Sequence, residues 1–225
     1  MLREKLNRKK KVRWGGFRSL QPFHRDFGAF EGTPVDRFYI EDFLESEALC
    51  VSGDVLEIAE TRYTEKFGQK EFRAHSLQLE NSGGDNEIVG DLVTGEGLRS
   101  HRFDCIIFTQ TLPFIYDYHS ALENLKKMLK PKGVLLVTLS GISQISRYDM
   151  DRWGDYWRFT NLSAKKVFED FFPIENICIK TYGNVLTATA FIQGIVSEEL
   201  LKEELLFRDP DYEVSICVKA VAEDY

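Results

Sequence analysis

Apolar positions along this chain follow two alternating patterns, short unbroken runs and longer stretches at helical spacing. The unbroken runs predict strands over residues 54–58, 71–79, 87–92, 103–109, 134–139, 175–181 and 212–221. Helical spacing begins near Pro34, a good first-turn residue, with Phe38, Ile40, Phe43 and Leu44 on one side. It recurs over residues 116–129, 161–172 and 185–201, whereas residues 59–68 read as a loop or short helix and residues 15–34 as an irregular segment rich in Gly and aromatics. Asn161 or Ser163 caps the third of these helices and Pro173 stops it. Lys130-Pro131-Lys132-Gly133 ends the second, with Gly133 at the position that leaves a helix at positive φ. The run 134–139 is apolar without alternation, which suits burial on both faces of a parallel sheet. Strands separated by crossover helices predict an α/β, doubly wound sheet.

A chain of 225 residues suits one such domain, assigned to residues 34–225, preceded by a basic and aromatic arm over residues 1–33. Hydrophobic content of 43% is that of a globular protein, and no apolar run approaches the roughly 18 residues of a membrane span. The N-terminus lacks the apolar core of a secretory signal. Cys50, Cys105, Cys178 and Cys217 are scattered and form no Cys/His cluster, so no metal site is expected, and buried thiols suit the cytoplasm.

Charge is divided unevenly. Residues 1–18 hold eight Lys/Arg against Glu4, a balance of +7, so the remainder carries −14 of the total of −7. Such an arm touches nucleic acid or an anionic membrane, or is a solvated terminus or a domain boundary. The acidic body argues against nucleic acid as the main substrate. Without a GxSxG, a Ser-His-Asp arrangement or a GxxxxGK, the chain offers poor support for hydrolase or NTPase chemistry.

Three stretches carry a family resemblance: VLEI at 55–58; VGDL at 89–92 with residues 103–117 and 121–138; and DYWRFTNLSAKKVFEDFFP at 155–173. Together the chain over residues 36–221 resembles class I S-adenosylmethionine-dependent methyltransferases. The third stretch looks like the DYWRFT block of a subgroup associated with glycan or natural-product pathways. The resemblance implies a Rossmann-like seven-stranded sheet, mostly parallel with an antiparallel last strand, plus an N-terminal cover helix. It implies S-adenosylmethionine as cofactor, bound beyond the carboxyl ends of the strands near the loops after Ile58, Leu92 and Thr109.

On this resemblance, Glu57, Ala59 and Glu60 belong to the first cofactor loop, with Glu57 facing the ammonium end. Asp91 accepts from the adenine amine, Leu92 and Leu112 sandwich the ring, and Thr109 and Gln110 line the mouth. Arg37 on the cover helix pairs with the cofactor carboxylate as a bidentate fork. Each polar residue has a plainer reading: Asp91 as a turn cap, Glu57 as an anchor for backbone amides, Arg37 as a helix-surface charge, Asp104 as a strand-edge charge in solvent.

Two features depart from the family pattern. The first loop reads VLEIG-x-G-x-G in the family, but here Ala59, Thr61 and Tyr63 take the glycine positions. Ala59 suits the turn if φ stays negative, while β-branched Thr61 resists positive φ, so the loop follows another path with Tyr63 or Arg62 filling space. The acid that holds the ribose at the end of the second strand falls, by counting, at His75-Ser76, and Glu80 lies beyond the expected strand end.

Residues 144–160 interleave Arg147, Asp149, Asp151, Arg152, Asp155 and Arg158 with Tyr148, Trp153, Tyr156 and Trp157. That mixture suits a small-molecule or carbohydrate acceptor, with rings stacking and carboxylates gripping hydroxyls, or else an aromatic lid held by Arg–Asp pairs. Asp149, Asp151 and His119 are the candidate general bases, and His24 is a further residue that folds over the pocket if the N-terminal segment does. Two functions follow: O- or N-methylation of such an acceptor, or a non-catalytic methyltransferase-like interaction module beside a glycosyltransferase.

Overall fold

The computed structural model describes residues 13–69, 71–84 and 86–224, so most of the basic arm lies outside the described residues. The seven strands are β1 (Gly53–Ile58), β2 (Phe72–Gln78), β3 (Glu87–Val89), β4 (Phe103–Thr109), β5 (Leu129–Ser140), β6 (Ile177–Tyr182) and β7 (Ser215–Val221). They form one sheet in the order β3-β2-β1-β4-β5-β7-β6. Only β7 runs against its neighbours β5 and β6, as expected for this fold class. The chain works outward from β1 to β3 and then returns to β4 on the other side of β1. The strand order therefore reverses between β1 and β4, which opens a crevice at their carboxyl ends.

Helices cover both faces, and this is why the strands read as unbroken apolar runs. Leu56, Ile106, Phe108, Leu135, Val137 and Val218 pack under α3 (Tyr118–Met128) and α5 (Asn161–Glu169). Val55, Cys105, Ile107, Leu136 and Cys217 pack under α1 (Val35–Ser46) and α6 (Val185–Gln193). Asp117 caps α3 by accepting from the Ser120 amide at 3.1 Å, and that contact holds its carboxyl below the usual range.

Several expectations need correction. The α5 cap is Thr160, which exchanges hydrogen bonds with Ser163 in a capping box, because Asn161 already lies inside the helix. The 130–133 segment is not a helix-ending turn but the start of β5, and Lys132, not Gly133, takes positive φ at 61°. The helix expected over 185–201 stops at Gly194 (φ 69°), where a Cβ would lie 2.0 Å from the His24 carbonyl oxygen. A short helix α7 (Lys202–Leu206) follows separately. Asp104 is no free surface charge: it accepts from the Asp54 amide at 2.8 Å and from Lys130 at 2.6 Å.

α1 packs on the sheet against β7, α6 and α2 (Arg62–Phe67), and its first turn brings Arg37 near Tyr63. Residues 24–33 lie against α6 and the turn after it. The His24 amide donates to Gln193, Phe27 stacks on Phe191 at 5.3 Å, and Glu198 accepts from the Thr33 amide. His24 is therefore held at the end of α6.

Phe168 is fully buried between α5 and the sheet. Phe168→Ala should cost about 3–5 kcal/mol in urea denaturation, and a loss below about 1 kcal/mol would contradict the packing described.

Candidate functional site

At the end of β1, Glu57 is 2% exposed and points into the start of α2 (Arg62–Phe67). Its carboxylate accepts from the Tyr63 amide (3.1 Å), the Thr64 amide (2.9 Å) and the Thr64 hydroxyl (3.0 Å). Burial pushes its pKa up, against the opposing pull of these donors. Glu57 is thus the anchor of the neighbouring amides, the plainer of its two expected roles. Tyr63 is turned away from the loop into the core beneath α1, and Thr61 starts α2 at negative φ, so neither obstructs the turn.

Ala59 does the opposite of what its side chain favours, taking φ of 65°. The Glu60 amide donates back to the Ile58 carbonyl at 2.8 Å, closing a three-residue turn around Ala59. The loop therefore keeps a glycine-like bend without the glycine. Ala59 and Glu60 are both exposed, and Glu60 pairs with Arg62 at 3.3 Å.

The place reached by counting, His75-Ser76, lies inside β2 and not at its end. Ile58 pairs with Leu77, so the position beside the first loop is Gln78, not His75 or Ser76. His75 is buried toward the amino end of the sheet, where it meets Asp54 at 3.1 Å. The Gln78 amide nitrogen donates to the Ala59 carbonyl, and its Oε1 has no partner among the described residues. Leu77, the last buried position of that strand before a polar residue, was the signal that marks this place.

β3 ends at Val89, earlier than expected, and Asp91 opens a turn. Its Oδ1 accepts from the Val93 amide at 2.7 Å, as a turn cap does, leaving Oδ2 without a partner among the described residues. Leu92 is 7% exposed, while Leu112 is fully buried in the core, so Leu112 presents no surface to a ring.

After β4, Gln110 is the second non-glycine residue in the left-handed region at this rim, with φ of 47°. Its amide donates to the Thr138 carbonyl (2.9 Å) and its Oε1 accepts from the Ser140 hydroxyl (2.6 Å), so the end of β5 holds it. The Thr109 carbonyl accepts from the Thr111 hydroxyl at 2.9 Å. Arg37, in the first turn of α1, is half-buried near Tyr63, and its guanidinium has no carboxylate or other hydrogen-bond partner among the described residues. Beside it, burial pushes the Asp36 carboxyl up to about 6, against a hydrogen bond from the Arg37 amide.

The loops after β4 and β5 meet in an aromatic cluster. Tyr116 stacks on Trp157 at 5.8 Å and meets Tyr156 edge-on at 5.3 Å. The Tyr156 and Trp157 amides donate to the Pro113 carbonyl, tying the two loops together. Asp155 takes both guanidinium nitrogens of Arg158, which with the Ser146 amide hold its carboxyl below the usual range despite burial. A cavity of about 470 Å³ opens nearby, lined by Gly141, Arg158, Thr160, Asn161, Asp211 and Glu213.

The three candidate bases are not brought together. Asp149 is half-buried in the one-turn helix α4 (Arg147–Met150) after β5 and accepts from the Ser146 hydroxyl. Asp151 is exposed and faces Arg147 at 3.5 Å. His119 lies against Phe171 (4.7 Å) in a separate cavity of about 850 Å³ along α3, with His101, Lys126 and Pro131. No cluster of His, Cys, Asp or Glu suited to a metal occurs among the described residues.

A family model described as a methyltransferase domain matches residues 19–178. No curated protein was found to match the chain. The chain is similar to the solved structure of the CurJ carbon methyltransferase (15% identity, TM-score 0.54), over 88% of this chain but 57% of that one. It is similar to the 1,6-didemethyltoxoflavin-N1-methyltransferase of Burkholderia thailandensis (14% identity, TM-score 0.52, 83% of this chain and 77% of that one), which holds 1,6-didemethyltoxoflavin and S-adenosylhomocysteine. It is also similar to the [4+2]-cyclase SpnF (11% identity, TM-score 0.53, 83% and 81%), so likeness at this level fixes the fold and not the reaction.

Two stability measurements test this geometry. Ala59→Gly should stabilise by about 0.5–1 kcal/mol, because relief of roughly 1–2 kcal/mol of left-handed strain exceeds the extra entropy of glycine; a lower melting temperature would contradict the bend. Asp36 has a native pKa (about 6) above its unfolded value, so its contribution is full below about pH 4 and lost as pH rises through 6. Asp36→Asn should therefore gain about 1 kcal/mol over the parent at pH 8, with the gain shrinking toward pH 4; a pH-independent difference would rule this out.

Proposed function

The chain belongs to the methyltransferase-domain family that its residues 19–178 match, and on that footing we propose that it methylates an oxygen or nitrogen of a small, neutral, ring-bearing acceptor such as a sugar. S-adenosylmethionine is the cofactor that goes with this membership. The observation that carries the reading is the pair of left-handed, non-glycine residues, Ala59 and Gln110, at the carboxyl ends of β1 and β4. Backbone strain of this kind persists where surrounding structure enforces it, and it clusters where ligands are held. Here it flanks the crevice at which the strand order reverses.

The residues present fit the cofactor, though less fully at the ribose end. Arg37 offers an unpaired, half-buried guanidinium to a carboxylate. Asp91 Oδ2 is open to an adenine amine, and the Ala59 bend brings backbone to the rim. Gln78 Oε1 accepts from a ribose hydroxyl where the family has an acid; a neutral amide grips it less strongly than a carboxylate.

The bound cofactor supplies an electrophilic sulfonium methyl. Catalysis then rests mainly on orienting the acceptor. Tyr116, Tyr156 and Trp153, all about half exposed or more, offer ring faces beside the crevice. Four of the charges around them are paired with one another, Arg158 with Asp155 and Arg147 with Asp151, which favours a neutral acceptor. Asp149 is the best supported proton acceptor of the three, being half-buried and oriented by Ser146.

The Gln78 substitution favours a second reading, a non-catalytic interaction module that works beside another enzyme, such as a glycosyltransferase. Calorimetric titration with S-adenosylmethionine and S-adenosylhomocysteine separates the two. Binding is expected, weakened about tenfold by Arg37→Ala and by Asp91→Ala; no heat and no melting shift with either compound would leave the module reading standing. Tyr116→Ala should raise KM for the acceptor while cofactor affinity stays unchanged.

A further inference from the structure

The N-terminal segment has a feature that methyl transfer does not use. Trp14, Phe17, Leu20 and Phe23 are 53%, 42%, 98% and 49% exposed, and the turn Gly15–Arg18 buries no residue at all. The Phe17 amide donates to the Trp14 carbonyl, and the Phe17 and Phe23 rings meet edge-on at 5.6 Å. Arg13, Arg18 and Arg25 lie among them. Residues 13–25 carry three Arg and no Asp or Glu, although the chain as a whole is at −7.

We propose that this segment is a docking surface for an anionic lipid bilayer, lying on the membrane and not crossing it. No helix among the described residues is long and apolar enough to cross one. The chemistry is that of interfacial anchors: aromatic and leucine side chains enter the headgroup boundary while Arg and Lys meet lipid phosphates and carboxylates. Charge complementarity also orients the molecule. Residues 26–225 carry a strong negative excess that an anionic surface repels, so the N-terminal face alone approaches it. Residues 24–33 fasten the segment to α6, so docking there positions the whole domain. A nucleic acid would use the cations but has no use for exposed apolar side chains such as Leu20.

The full chain should co-sediment with phosphatidylcholine vesicles that contain about 30% phosphatidylserine, and not with phosphatidylcholine alone. Raising salt to about 0.5 M should weaken binding. The combined Trp14→Ser, Phe17→Ser, Leu20→Ser variant and the Arg13→Glu, Arg18→Glu variant should each lose at least about tenfold. Their melting temperatures should match the parent, because none of these side chains belongs to either core cluster. The proposal is overturned if anionic vesicles fail to bind at low salt. It is equally overturned if the apolar variant binds like the parent while duplex RNA competes, which points to nucleic acid. Gel filtration showing a dimer that the apolar variant dissolves, with no vesicle binding, would assign the patch to a second copy of the chain.

Discussion

One buried carboxylate organises the rim of this sheet. Glu57 is the next-to-last residue of β1, a central strand, and accepts from the amides of the second and third residues of α2 as well as from a hydroxyl. Those are the donors a helix-capping side chain would take, but Thr61, which sits at the cap, makes no such bond and turns its hydroxyl to Glu65. The cap is supplied from the strand instead. A helix of six residues has little stability of its own, and an unsatisfied buried carboxylate would be costly, so each requires the other. With both ends of the loop fixed this way, the chain between them is short, and Ala59 is forced into the left-handed region.

This explains how a glycine-rich loop is kept without glycines. Glycine lowers the cost of a bend, whereas the bend itself is imposed by what holds the flanking residues. The same holds across the crevice at Gln110, where Thr138 and Ser140 of β5 fix both backbone and side chain. The two strained residues follow β1 and β4, the neighbouring strands between which the strand order reverses, and the aromatic loop over residues 155–159 is fastened to the turn after β4 through the Pro113 carbonyl.

Much of the fold was legible because both sheet faces are covered. Val55 and Leu56 point to opposite faces yet are both fully buried, so strands appear as unbroken apolar runs that nothing else in the chain imitates. Boundaries were less legible where polar residues are satisfied locally. Thr160 caps α5 through Ser163, and Gly194 ends α6 against the His24 carbonyl, a contact with a segment far away in sequence. Gln78 was missed because counting from Glu57 presumes a standard loop length, whereas the pairing of Ile58 with Leu77 sets where β2 ends.

By itself the sequence determined the doubly wound α/β class, the family likeness and the residue types available at the crevice, since periodicity and local motifs are properties of neighbouring residues. Which of those residues are free to act was decided only by tertiary structure. Glu57 and Asp91 are equally acidic on paper, but one is consumed by three donors in the interior and the other keeps an open oxygen at the surface of a turn. Arg37 and Arg158 are alike as letters, but Asp155 holds one and nothing among the described residues holds the other. Hydrogen-bond capacity is used up by partners that only folding brings within reach, so the choice of functional group follows from the assembled sheet and its loops.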